Sequence, residues 1–81
     1  MKSDIKVEAL TIGSKVFVVN RDYAFKRKAG GKVLPARVVA FENRNNNIEI
    51  VMKITGRRDE VTVVNYVPFI NIQKAIDAIK S

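Results

Sequence analysis

Apolar and polar positions along the 81-residue chain alternate far more often than they recur every three or four residues, and that period predicts strands before helices. Ile5, Val7 and Ala9 alternate with Lys6 and Glu8, so residues 1–11 read as a strand or as an extended arm laid on the domain. Gly13-Ser14 is a turn signal, and Lys15-Val16-Phe17-Val18-Val19 behind it is an apolar run too short for an independent helix. It is expected as the first main strand. A polar stretch from Asn20 to Lys32 follows, a long loop or irregular hairpin that ends at Gly30-Gly31, where backbone dihedrals are least restricted. Residues 33–41, VLPARVVAF, predict a second strand whose regular part starts at Ala36, because Pro35 has no N–H to give a ladder.

Asparagine tolerates left-handed backbone and bonds its own main chain, so Glu42 to Asn47 is a turn cluster and a hairpin is expected there. Ile48, Ile50, Met52 and Ile54 are apolar at every second position, which gives the clearest half-buried strand of the chain. Thr55 to Glu60 forms the next turn and Val61 to Tyr66 the next strand, so three strands run in hairpin succession. After a turn-like segment around Pro68, Asn71 is placed to cap a helix in which Ile72, Ala75, Ile76 and Ile79 share one face. The amphipathic helix, residues 71–81, is expected to seal one open end of the sheet structure.

Composition narrows the function. The 15 Lys and Arg residues against 8 Asp and Glu leave a net charge of +7, which favours a polyanionic partner, either nucleic acid or an acidic protein surface. With no Cys and no His, disulfides, thiolate nucleophiles, imidazole chemistry and the usual zinc sites are excluded. No phosphate-binding or dinucleotide fingerprint occurs, and the adjacent Asp59 and Glu60 point apart on extended chain. The chain is therefore read as a binding protein that is not an enzyme and needs no cofactor. It has no apolar run long enough to span a membrane and no signal-peptide core at its start, so a cytoplasmic location is expected.

The charge is concentrated. Between Asn20 and Lys32, Arg21, Lys26, Arg27, Lys28 and Lys32 face the single acid Asp22, so five cations minus one acid place four of the seven net charges there. Lys26, Arg27 and Lys28 repel one another in a low dielectric and belong in water or on a phosphate backbone. Tyr23 and Phe25 between them are available to stack on an unpaired base. Arg37 and Lys53 extend the basic face if their strands share a solvent side, whereas Arg44, Arg57 and Arg58 have acids beside them in sequence.

The order of elements, with Gly13-Ser14-Lys15-Val16 opening the first strand and Ala36-Arg37-Val38-Val39-Ala40-Phe41 forming the second, resembles an SH3-like barrel of the Tudor and KOW kind over residues 12–70. The resemblance implies a mainly β fold, a small SH3-like barrel of four to five antiparallel strands with a short C-terminal amphipathic α-helix. It implies DNA or RNA binding through loops and a basic face, as in KOW-type barrels. A methyl-lysine cage of the Tudor kind does not follow, because Phe17, Tyr23, Phe25, Phe41, Tyr66 and Phe69 are few and apolar in context. Two functions are expected: a nucleic-acid-binding module gripping phosphates through the 20–32 loop, or a protein-interaction module. The second would be a phage or mobile-element accessory protein that inhibits a host nuclease or another nucleic-acid-processing complex.

Overall fold

A computed structural model describes Ser3, residues 5–21 and residues 33–80. Among the described residues, five strands, β1 (Lys15–Asn20), β2 (Val33–Arg44), β3 (Asn47–Ile54), β4 (Glu60–Thr62) and β5 (Tyr66–Phe69), precede a C-terminal helix, α1 (Ile72–Lys80). They form one antiparallel sheet in the order β4-β3-β2-β1-β5.

The period of two along β1 sorts the molecule into two faces. Val16 and Val18 join Leu10, Ala36, Val38, Ile50, Met52 and Ile54 in a first core cluster, against which Ile5, Val7, Leu34, Val61, Val63 and Tyr66 pack. Phe17 and Val19 point the other way, into a second cluster with Val67, Phe69 and Ala75, Ala78 and Ile79 of α1. The continuous apolar run of β1 follows from this, since both of its faces are covered. The N-terminal segment is an arm laid on the first face, with a 3-10 turn over Val7–Ala9 and Leu10 buried at its end.

The β2–β3 hairpin turns on Asn45 and Asn46, whose φ values of 51° and 66° are those of the two-residue turn that matches strand twist. Pro35 lies opposite Phe17 on β1, one residue before the β3 ladder begins at Ala36↔Ile54, so its missing donor interrupts no bond toward β3. Thr55 N–H donates to the Pro35 carbonyl at 3.0 Å beside that point. Asn71 caps α1 as expected, its Oδ1 accepting the N–H of Lys74 at 2.8 Å.

Two expectations are corrected. The sheet is open, so the SH3-like barrel and the Tudor and KOW resemblance do not hold: no ladder joins β4 to β5 among the described residues. The physical reason lies at the two edges. β4 has only three residues, and the carbonyls of Val63 and Val64 just beyond it are taken by the Arg21 guanidinium, through Nη2 at 2.8 Å and Nε at 3.1 Å. On β5, Pro68 has no N–H and its carbonyl accepts the hydroxyl of Ser3. The helix accordingly seals no barrel end and lies over one face of an open sheet. The expected strand Val61 to Tyr66 is also two pieces: a turn at residues 63–65, with Asn65 N–H on the Thr62 carbonyl at 3.2 Å, separates β4 from a β5 not foreseen around Pro68.

Candidate nucleic-acid interface

Sheet register assembles a cation row that no sequence spacing announces. Arg37 on β2 is directly opposite Lys15 on β1 and Lys53 on β3, and Lys53 is opposite Glu60 on β4. Residues opposite one another share a face, so these side chains form a line on the helix-bearing side, with neighbouring strands about 4.8 Å apart. All three cations are solvent-exposed. Lys15 Nζ sits 5.5 Å from the centre of the Phe17 ring, a cation–π contact that holds it over the sheet.

Arg37 is positioned from its own side. Its Nη1 donates to the Gly13 carbonyl at 3.1 Å, while Gly13 N–H bonds the Val38 carbonyl at 2.8 Å and Val38 N–H bonds Ser14 at 2.9 Å. The Gly13 φ of 93° allows that tight return of the chain onto β2. One nitrogen is thereby committed and the other guanidinium donors stay in water.

Beside this row, Arg37, Val39, Lys53, Gly56, Arg57 and Arg58 line an open groove of about 450 Å³. The turn after β3 puts Arg57 there, its N–H donating to the Ile54 carbonyl at 3.0 Å, with Gly56 at a φ of 85°. Asp59 and Glu60 follow in sequence, yet the ion pair among the described residues is a different one, Arg44 with Glu49 at 3.6 Å. Lys15, Arg37, Lys53, Arg57 and Arg58 thus present five cations to solvent with no carboxylate of the described residues within ion-pair distance. Arg44, which has Glu42 near it in sequence, pairs with Glu49, on the facing strand and diagonal to it.

The residues singled out from sequence fare differently. Arg37 stands at the centre of the row, and Lys53 shares its face as the alternation suggested. Arg21 is turned inward to the Val63 and Val64 carbonyls, at a distance from the row set by the length of β1. Tyr23, Phe25, Lys26, Arg27, Lys28 and Lys32 lie outside the described residues. The strand ends that flank them in sequence, Asn20 of β1 and Val33 of β2, stand at the end of the β1–β2 pair opposite Lys15. Lys15 was missed because its place depends on how β1 aligns with β2 across a long connection, which the sequence does not encode locally.

Among the described residues no group of three or more Asp and Glu side chains could hold a metal ion, and no helix is long and apolar enough to cross a membrane. No protein-family model, no curated protein and no solved structure matches this chain.

Proposed function

We propose that this chain is a small nucleic-acid-binding module that meets a phosphate backbone with Lys15, Arg37 and Lys53, supported by Arg57 and Arg58 at the groove. The observation that carries this reading is the register of three cations across β1, β2 and β3 without an ion-pair partner among the described residues. Like charges directly opposite one another cost stability, and a polyanion laid across them reverses the sign of that interaction. Phosphate contact by Lys26, Arg27, Lys28 and Lys32, with Tyr23 or Phe25 stacking on bases, is proposed as a second contact at the far end of the β1–β2 pair. No aromatic side chain of the described residues lines the groove, which supports a row that grips backbone without base readout.

Fluorescence anisotropy with labelled single-stranded and duplex DNA and RNA, titrated across salt, tests both contacts separately. Each phosphate contact contributes about 0.9 to the slope of log affinity against log salt. The triple variant Lys15→Ala, Arg37→Ala, Lys53→Ala is expected to lower the slope by about 2 to 3, and so is Lys26→Ala, Arg27→Ala, Lys28→Ala. Wild-type protein that binds none of the four polymers at low salt overturns the proposal, and salt-sensitive capture of an acidic protein would replace it with the interaction-module reading.

A further inference from the structure

The sheet protects its edges unevenly. β5 presents Pro68, with its carbonyl bonded to Ser3, and β4 is three residues long with charged Glu60 at its start. Both are ways of denying a foreign strand a template. β3 is treated otherwise. Its ladder with β4 ends at Val51↔Thr62, and Asn47 to Ile50 run on beyond that pair while the chain turns away at residues 63–65.

Hairpin geometry says which groups are left over. In a two-residue hairpin the flanking residues, here Arg44 and Asn47, exchange both main-chain bonds and the ladder then alternates. Asn47 and Glu49 therefore turn their main-chain groups to β2, and Ile48 turns its N–H and C=O outward to the β4 side. Beside Ile48 is a notch of about 270 Å³ walled by Arg44, Asn47, Glu49, Val63 and Val64. Ile48 and Val64 on its rim are 58% and 60% exposed.

The second observation is a carboxylate. Glu49 is only 7% exposed, and its Oε1 has no hydrogen-bond partner among the described residues. Glu42 faces it directly across the hairpin, a like-charge pair, and the counter-charge among the described residues is the largely exposed Arg44 at 3.6 Å. A buried acceptor left unpaired is costly, and a strand laid along Ile48 would set its own neighbouring residue opposite Glu49 on the same face.

We propose that the β3 edge at Ile48 and Glu49 is a docking site for an extended peptide of a partner protein, one that pairs with the Ile48 main chain, sets an apolar side chain beside Ile48 and Val64, and sets a lysine or arginine opposite Glu49. The site is distinct from the cation row and independent of nucleic-acid binding. Local charge selects the peptide against the global one: a chain of net charge +7 disfavours a basic peptide on the whole, and the buried Glu49 carboxylate with its unpaired Oε1 favours it at this edge.

The probe is a labelled heptapeptide of alternating valine and lysine, with its valine–glutamate counterpart as control, added to the full chain at 150 mM salt. Amide exchange followed by NMR reads the site itself. The lysine peptide is expected to slow exchange of the Ile48 amide and the glutamate peptide to leave it unchanged. Glu49→Gln is expected to weaken lysine-peptide binding at least tenfold. Val64→Lys, on the rim and outside both core clusters, is expected to do the same by repulsion and serves if Glu49→Gln does not fold. Unchanged Ile48 exchange with the lysine peptide overturns the proposal, as does equal affinity of wild type and variants. A concentration-dependent dimer that protects Ile48 without peptide overturns it in favour of a second copy of this chain.

Discussion

Arg21 illustrates how one side chain's task depends on what its neighbours leave unpaired. In sequence it belongs to the basic stretch that opens the 20–32 loop. In the fold its guanidinium bonds the carbonyls of Val63 and Val64, and its main-chain N–H bonds the Asn65 carbonyl at 2.8 Å. A lysine there keeps the charge and loses the planar fork. Arg21→Lys is expected to lower stability by about 1.5 to 3 kcal/mol, the scale of hydrogen bonds from a charged donor, in urea denaturation. The salt slope of nucleic-acid binding should be unaffected by it. Asn46 is the contrasting residue, legible from the start, because its φ of 66° is the left-handed conformation that an asparagine cluster favours. Asn46→Ala is expected to cost about 1 kcal/mol, seen as a fall in melting temperature of about 4 to 8 °C for a domain of this size.

At the scale of elements, the short apolar run found β1 and periodicity found β3 and the helix, although Ile48 of β3 and Ile72 of α1 are exposed while Glu49 and Val51 of β3 are buried. Apolar residues alone could not say that β1 would be covered on both faces, which needed α1 to return over Phe17 and Val19. β5 went unforeseen because Pro68 argues against a strand, and only an edge position reconciles the two. The break at residues 63–65 was hidden for a different reason. Val63 and Val64 favour strand, and the turn is imposed by Thr62, whose Oγ1 accepts the Val64 N–H at 3.3 Å and whose carbonyl accepts Asn65 N–H. Those local bonds, together with the Arg21 contacts to the Val63 and Val64 carbonyls, outweigh the strand propensity of the two valines there. The helix gives the sharpest test at this scale. Ala75 is fully buried against Val19, Val67 and Phe69, so Ala75→Leu is expected to overpack the second cluster and destabilise by about 1 to 3 kcal/mol. Asn71→Ala removes the cap and is expected to cost about 1 kcal/mol. Calorimetry on both variants separates packing from capping.

For the whole molecule, net charge was legible and its arrangement was not. The basic loop is contiguous in sequence, whereas Lys15, Arg37 and Lys53 are brought together only by pairing between strands up to 38 positions apart, from 53 minus 15. A double-mutant cycle on Lys15 and Arg37 isolates their coupling from every other effect of each substitution. The coupling is expected to be repulsive, about 0.2 to 1 kcal/mol at low salt, to fade as salt rises, and to turn favourable when a short oligonucleotide is bound. Nucleic-acid binding that leaves the coupling repulsive would detach the row from the phosphates.

The bond from Ser3 to the Pro68 carbonyl ties the beginning of the chain to the last strand of the sheet, and the arm it anchors lies over the first core cluster. Whatever is joined to or trimmed from that end is therefore an intervention in the fold. A variant lacking residues 1–9 would strip Ile5 and Val7 from the first core cluster and free the β5 edge together, so light scattering should show it clustering where the intact chain stays dispersed. An affinity handle belongs after Ser81, and a protease that nicks the arm would act on this molecule as an assembly trigger.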